Sequence, residues 1–200
     1  MASVAPPKAY PGCLCKARSI EHHNGFARPR ILFCQQQDND NKPQHQIARS
    51  GKKPDYLGVQ KNQPSLSLCP ATKNCISTSE NITDLTHYAP PWNYNGGRKK
   101  PVSKEQAMEE LLDVIRSTKP EKFTPKIVER DDDYVHVEYQ SPILGLVDDV
   151  EFWFRPGNNT IVEYRSASRL GNFDFDYNRK RIKILRLELE KKGWASAESF

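Results

Sequence analysis

"VDDVEFWFRPGNNTIVEYRSAS", Val147 to Ser168, decides the fold. Its first part alternates, with Val150, Phe152 and Phe154 on one face and Asp149, Glu151, Trp153 and Arg155 on the other. In its last part Val162 and Tyr164 face one way and Ile161, Glu163, Arg165 and Ala167 the other. A period of two is the signature of a strand. Pro156-Gly157-Asn158-Asn159 supplies turn chemistry between the halves. Two antiparallel strands follow, Val147 to Arg155 and Thr160 to Ser168. Matching apolar to apolar sets Phe154 beside Val162 and Phe152 beside Tyr164, which places Glu151 opposite Arg165 on the outer face. A slip of one residue breaks that agreement.

Working back toward the N-terminus, Lys126 to Arg130 and Tyr134 to Gln140 read as two more strands, joined by the turn-forming Asp131-Asp132-Asp133. Ser103-Lys104-Glu105-Gln106 is a capping box. It opens a helix whose Ala107, Met108, Leu111, Leu112 and Ile115 share one face, and Pro120 stops it. After the strands, a second helix runs from about Phe175 to Lys192. Ile182, Leu185 and Leu189 lie on one stripe, Ile184 and Leu187 widen it, and Gly193 ends it. The expected fold is α+β: a short antiparallel sheet of about four strands with two helices covering one face. The loop "HYAPPWNYNGG" carries Tyr88, Trp92 and Tyr94, rings expected to close one edge of the core.

The chain has 200 residues, 15 prolines and a mean hydropathy of −0.77, so part of it lies outside any packed core. Residues 35–65 are Gln, Asn, Lys and Pro with scattered apolar side chains, and read as a disordered linker. One domain over 66–194 and a tail over 195–200 follow. Residues 1–34 hold Lys8, Lys16, Arg18, Arg28 and Arg30 against Glu21 alone. A basic, acid-poor start without a long apolar run reads as a plastid transit peptide, with a mitochondrial presequence or a disordered cytosolic arm as the alternatives. "ILFCQ", Ile31 to Gln35, resembles a stromal processing site. The expected location is the chloroplast, in the stroma or against the thylakoid. Removing the leader leaves 25 basic and 24 acidic residues, too even a balance for a nucleic-acid-binding surface. No run approaches the roughly 20 apolar residues that span a bilayer, which leaves peripheral contact as the expected mode of any membrane association.

Three motifs carry a resemblance: "CPATKNC" at Cys69 to Cys75, "VDDVEF" at Val147 to Phe152, and "RSASRLGNFDFDYNRKR" at Arg165 to Arg181. Over about Leu68 to Gly193 the chain resembles domain-of-unknown-function family 1499, found in bacteria and in plant and algal plastids. The resemblance implies the extent of the fold and a plastid location. It implies no activity, cofactor or catalytic residue.

The chemistry-bearing residues therefore stand on their own patterns. Cys69 and Cys75, six residues apart, have two readings: a redox-sensitive disulfide or two free thiols. Cys69, Cys75, His87 and His136 match no usual zinc spacing, and no metal is expected. Asp148 and Asp149 point to opposite faces and cannot share a proton, whereas Asp149 and Glu151 share a face about 7 Å apart. That pair, with Arg165, suits either acid/base chemistry or a solvated charge ladder. Around the start of the second helix, Arg165, Arg169, Asn178 and Arg179 are candidates for holding a small anion. Asp174 and Asp176 oppose this, since each is a good helix cap. The competing structural reading has one of them capping the helix, Phe173 as a hydrophobic staple, and Arg165 and Arg169 paired with the two acids.

These patterns point to a plastid accessory protein without a cofactor, a non-enzymatic domain binding a small anionic ligand or a plastid protein and redox-tuned by Cys69 and Cys75. The alternative is a hydrolase or isomerase in which Asp149 and Glu151 serve as acid and base and Arg165 orients an anionic substrate.

Overall fold

A computed structural model describes residues 50–157 and 159–197. The expected leader 1–34, residues 35–49 of the expected linker and residues 198–200 of the expected tail lie outside them, as does Asn158 of the expected turn.

The four expected strands are present: β3 (Thr124–Arg130), β4 (Tyr134–Gln140), β5 (Val147–Phe154) and β6 (Ile161–Ser168). They form an antiparallel meander in the expected register, with Phe154 opposite Val162, Phe152 opposite Tyr164 and Glu151 opposite Arg165. The sheet is larger than four strands. β1 (Cys75–Ser77) and β2 (Trp92–Asn93) share the free edge of β6, and β7 (Ala195–Ser196) adds to β2, making seven strands, all antiparallel. The three additions are two or three residues long, too short to show any period.

Helix α1 (Lys104–Ser117) begins as its capping box dictates, with Ser103 Oγ accepting the Gln106 N–H at 3.2 Å. Leu111, Leu112 and Ile115 are buried on one side. Helix α2 (Tyr177–Glu190) packs beside it, and its Ile182, Leu185 and Leu189 enter the same core. Leu187 does not widen that stripe, being 44% exposed; the flanking buried positions belong to Arg181 and Arg186. Arg181 is held because an acid faces it from the sheet: Nη2 donates to Asp148 Oδ2 at 2.5 Å and Nη1 to Ser166 Oγ and Asn178 Oδ1. Its guanidinium lies 4.6 Å from the Tyr139 ring centroid and 5.0 Å from that of Phe123.

At the far end of α2, Gly193 adopts φ +92°, and a Cβ there would meet Arg98 Cγ at 2.6 Å. The turn it permits brings Trp194 back into the core, where its Nε1 donates to Glu110 Oε2 of α1 at 2.9 Å. Trp92 packs between Tyr164 and Trp194, at 4.5 and 6.3 Å. With Tyr94 also buried, the aromatic loop closes the core edge as expected.

The opposite sheet face is also covered. Residues 50–65, assigned by composition to the disordered linker, run across it as an irregular strap that leads into Leu66. Gly51 lies against Arg169, where an added Cβ would come within 2.9 Å of the Arg169 Cβ. The Gly58 N–H donates to Glu151 Oε1 at 2.7 Å, and Val59 and Leu66 pack on Tyr134 and Trp153. Few, unevenly spaced anchors hold the strap, so its sequence carries no period.

Two leucines on α2 test the packing. Replacing buried Leu185 with Ala is expected to cost about 2–5 kcal/mol, and replacing Leu187 less than about 0.5 kcal/mol, by urea unfolding. Equal losses would mean that α2 is rotated from this position.

Candidate functional site

Asp149, Glu151 and Arg165 meet on the outer sheet face, but beneath the strap and already committed. Asp149 accepts from His136 Nε2 at 2.7 Å and from both Nε and Nη2 of Arg169 at 2.7 Å, while Arg169 Nη2 also reaches Glu138 at 2.6 Å. Burial pushes the Asp149 carboxyl up, yet the hydrogen bonds from Arg169 and His136 outweigh it and hold it below the usual carboxylate range. Glu151 accepts from Gly58 N–H and from Tyr134 OH at 2.8 Å; Arg165 Nη1 stands 3.6 Å from its other oxygen. Here burial wins, and the carboxyl is raised although Gly58, Arg165 and Tyr134 each oppose the shift. The Arg165 guanidinium is capped in turn by the Tyr56 ring at 4.9 Å. The acids are thus not a solvated ladder: Asp149 and Glu151 are buried beneath the strap. Both oxygens of Asp149 and one of Glu151 are hydrogen-bonded. Glu151 Oε2 and Arg165 Nε and Nη1 are buried with no hydrogen-bond partner among the described residues, and Oε2 and Nη1 meet only as an ion pair. His136, beside them, is fully buried.

The four anion candidates do not form one site. Arg165 and Arg169 lie under the strap. Asn178, at the start of α2, is buried; its Nδ2 donates to the Asn74 carbonyl at 2.9 Å and to Asp174 Oδ2 at 2.6 Å. Arg179 donates to the Thr86 carbonyl at 2.8 Å. The lock between sheet and helix is Asp148 with Arg181, not Arg165 or Arg169 with Asp174 and Asp176. The cap comes from Asp174, whose Oδ2 accepts the Asn178 N–H at 2.9 Å and whose Oδ1 accepts that of Asp176 at 3.0 Å. Phe173 is 61% exposed and staples nothing.

That exposure belongs to a different site. At the end of the sheet where β5 starts and β6 finishes, three loops enclose a recess of about 450 Å³. The β4–β5 loop contributes Ile143 and Leu144, the segment after β6 contributes Leu170, Phe173 and Phe175, and the turn before β3 contributes Phe123. Five of these side chains, Phe123 being the exception, are between 43% and 88% exposed. Asp148 and Ser168 form part of the lining, and Arg181 holds the former in place. Two pairs of non-glycine residues beside the recess have left-handed backbones: Glu121 and Lys122 at φ 51° and 64°, Phe175 and Asp176 at 54° and 65°. Such conformations cost on the order of 1–3 kcal/mol each and persist where surroundings impose them, often at binding sites. Lys73 bridges Phe173, and Asn74 Nδ2 donates to the Gly171 carbonyl at 2.6 Å, so the wall is fixed from behind by the Cys69–Cys75 loop. Those two cysteines are bonded, Cα to Cα 5.6 Å. Sequence reasoning missed the recess because its apolar residues sit on loops, where no period marks them. Their one signal was the apolar content of "PILGL" and "NFDF" between polar flanks.

Among the described residues there is no group of three or more His, Cys, Asp or Glu placed to hold a metal ion, and no helix long and apolar enough to cross a membrane.

The architecture is an α+β domain: a seven-stranded antiparallel sheet with two helices on one face, a strap on the other and an apolar recess at its end. Residues 65–189 match the family described as protein of unknown function DUF1499, and the chain belongs to that family. No curated protein and no solved structure matches the chain.

The outer network gives a pH signature. Asp149→Asn removes the charge that Arg169 and His136 share and is expected to cost about 3 kcal/mol at neutral pH. A depressed folded-state pKa contributes stability above the unfolded value of about 3.9 and loses it as the pH falls through the folded value. The gap between wild type and variant, followed by urea unfolding, should therefore narrow from about pH 5 toward about pH 3. A constant gap would mean that the carboxylate charge is not what holds the network.

Proposed function

We propose that this domain is a non-enzymatic binding protein whose recess takes up a small, largely apolar molecule. The observation that carries the reading is the gathering of Ile143, Leu144, Leu170, Phe173 and Phe175, all exposed, around one recess of about 450 Å³. Small-molecule sites are of that size and are lined mainly by apolar and aromatic side chains. A folded chain gains nothing by holding five such side chains in water, and left-handed Phe175 adds a backbone cost to keeping one of them there. The carboxylates that would do chemistry are sealed elsewhere, which favours binding over turnover. The polar groups at the edge, Ser141, Ser168 and Lys122, offer donors to an oxygen-bearing end of the ligand. The molecule expected is thus an apolar body with a carbonyl or carboxylate terminus, in place of the compact anion suggested by the arginines.

Titration with the apolar fluorophore N-phenyl-1-naphthylamine tests this. Burying a leucine-sized side chain contributes roughly 1.5–3 kcal/mol, so Leu144→Asp should weaken binding about tenfold or more while leaving the unfolding midpoint in place. Equal affinity in the variant would sink the recess as the binding site.

We further propose, from the basic and acid-poor residues 1–34, that the protein acts in the plastid. Residues 1–50 fused to a fluorescent protein should bring it into chloroplasts of leaf cells. A mitochondrial or cytosolic signal would overturn that address.

A further inference from the structure

The wall of the recess is tied to an asparagine inside the disulfide loop. Asn74 is buried, and its carbonyl accepts the Ser168 N–H at 3.0 Å and Asn178 Nδ2 at 2.9 Å. Its own Nδ2 donates to the Gly171 carbonyl at 2.6 Å, and its Oδ1 accepts Thr72 Oγ1 at 2.6 Å. The neighbouring Lys73 forms the backbone bridge to Phe173. Gly171 and Phe173 are therefore tied to two residues, both lying between Cys69 and Cys75, whereas Ser168 and Asn178 are also held by β5 and by Asp174. On the recess side, residues 171–173 have these two ties and the contact of Phe173 with Phe175. Phe173 and Phe175 are exposed, so their side chains bury little apolar surface to fix the backbone.

We propose that the Cys69–Cys75 bond is a reversible redox site that sets the affinity of the recess. The inference rests on the binding reading given above. Its chemistry is thiol–disulfide exchange. A thiolate of an external dithiol attacks the half-buried Cys69 sulfur and the sulfur–sulfur bond breaks, with Cys75, buried on β1, leaving as the thiolate. The second thiol of the reductant resolves the mixed disulfide. Two cysteine thiols and one oxidised dithiol result, with two electrons and two protons passed to the protein. Cys75 stays in register opposite Ala167, so β1 and the core remain. What is lost is the closure at the Cys69 end. The closed loop had restricted residues 70–74 before any hydrogen bond formed. Once open, Asn74 and Lys73 must be ordered each time they hold the wall, and the wall spends more time away from the closed position. The recess of the oxidised protein is preorganised and that of the reduced protein is not, which lowers affinity without removing a contact.

Backbone hydrogen exchange on the full chain, oxidised and after dithiothreitol, reads the coupling without any ligand. Reduction should speed exchange about tenfold at Ser168 and through residues 173–178, and leave Val150 and Phe152 unchanged. Affinity for N-phenyl-1-naphthylamine should fall about fivefold or more. Cys69→Ser/Cys75→Ser should reproduce both changes without reductant, and Asn74→Ala, which removes the Nδ2 bond to Gly171 but keeps the backbone carbonyl, should speed exchange through residues 173–178 and lower the affinity in the oxidised protein. Unchanged exchange at Ser168 on reduction overturns the proposal even if the fluorophore binds both forms. Faster exchange across the whole sheet also overturns it, since the bond would then act on global stability. Localised exchange changes with no fluorophore bound in either state would leave the coupling standing and overturn the binding reading alone.

Discussion

A strand buried on both faces has no water to solvate a carboxylate, and β5, buried along its whole length, carries three. An isolated ionised group in such surroundings is prohibitively costly. Each acid of β5 has an arginine instead. Asp148 meets Arg181 from α2, Asp149 meets Arg169 from beyond the end of β6, and Glu151 faces Arg165 from within β6. The arginines come from three places in the chain, so satisfying all three acids fixes the helix, the strand pairing and the strand exit together. Moving β5 by one residue would turn Glu151 onto the apolar inner face, leave Arg165 without its acid, and set a valine in place of an aspartate against one of Arg181 and Arg169. Whatever these pairs contribute to net stability, they penalise the alternative registers heavily.

The recess stands just outside that rigid frame. One side is anchored to it, because Asp148 belongs both to the lining and to the pair with Arg181. The other side is loop, strained at Phe175 and Asp176 and supported through Asn74. A site half on a fixed strand and half on a tethered loop can change its opening while the sheet keeps its shape.

The elements legible in the sequence are those whose side chains repeat. β4, β5, β6 and α1 were readable to within a residue or two, and the β5–β6 register followed from Phe152, Phe154, Val162 and Tyr164 alone. Position along a strand also told which acids share a face. It did not tell that the outer face is covered, because the cover has no period and its contacts, among them a glycine N–H, a tyrosine ring and Val59, are irregularly spaced. Leu187 misled for a related reason: hydrophobicity suggested burial, but the place beside the core went to Arg181, whose partner lies 33 residues away in the chain. The recess was hidden because exposed apolar side chains on loops look, in sequence, like core residues waiting for a strand.

The strap has one more implication. The family match begins at residue 65 and ends at 189, yet Glu151 takes a hydrogen bond from Gly58 and Glu110 takes one from Trp194. The stretch that kinship recognises is shorter than the stretch that physics requires. Transplanted into another protein by its homology boundaries, the domain would arrive with one face of its sheet bare and its charges in water. The receiving chain would have to supply a cover of its own.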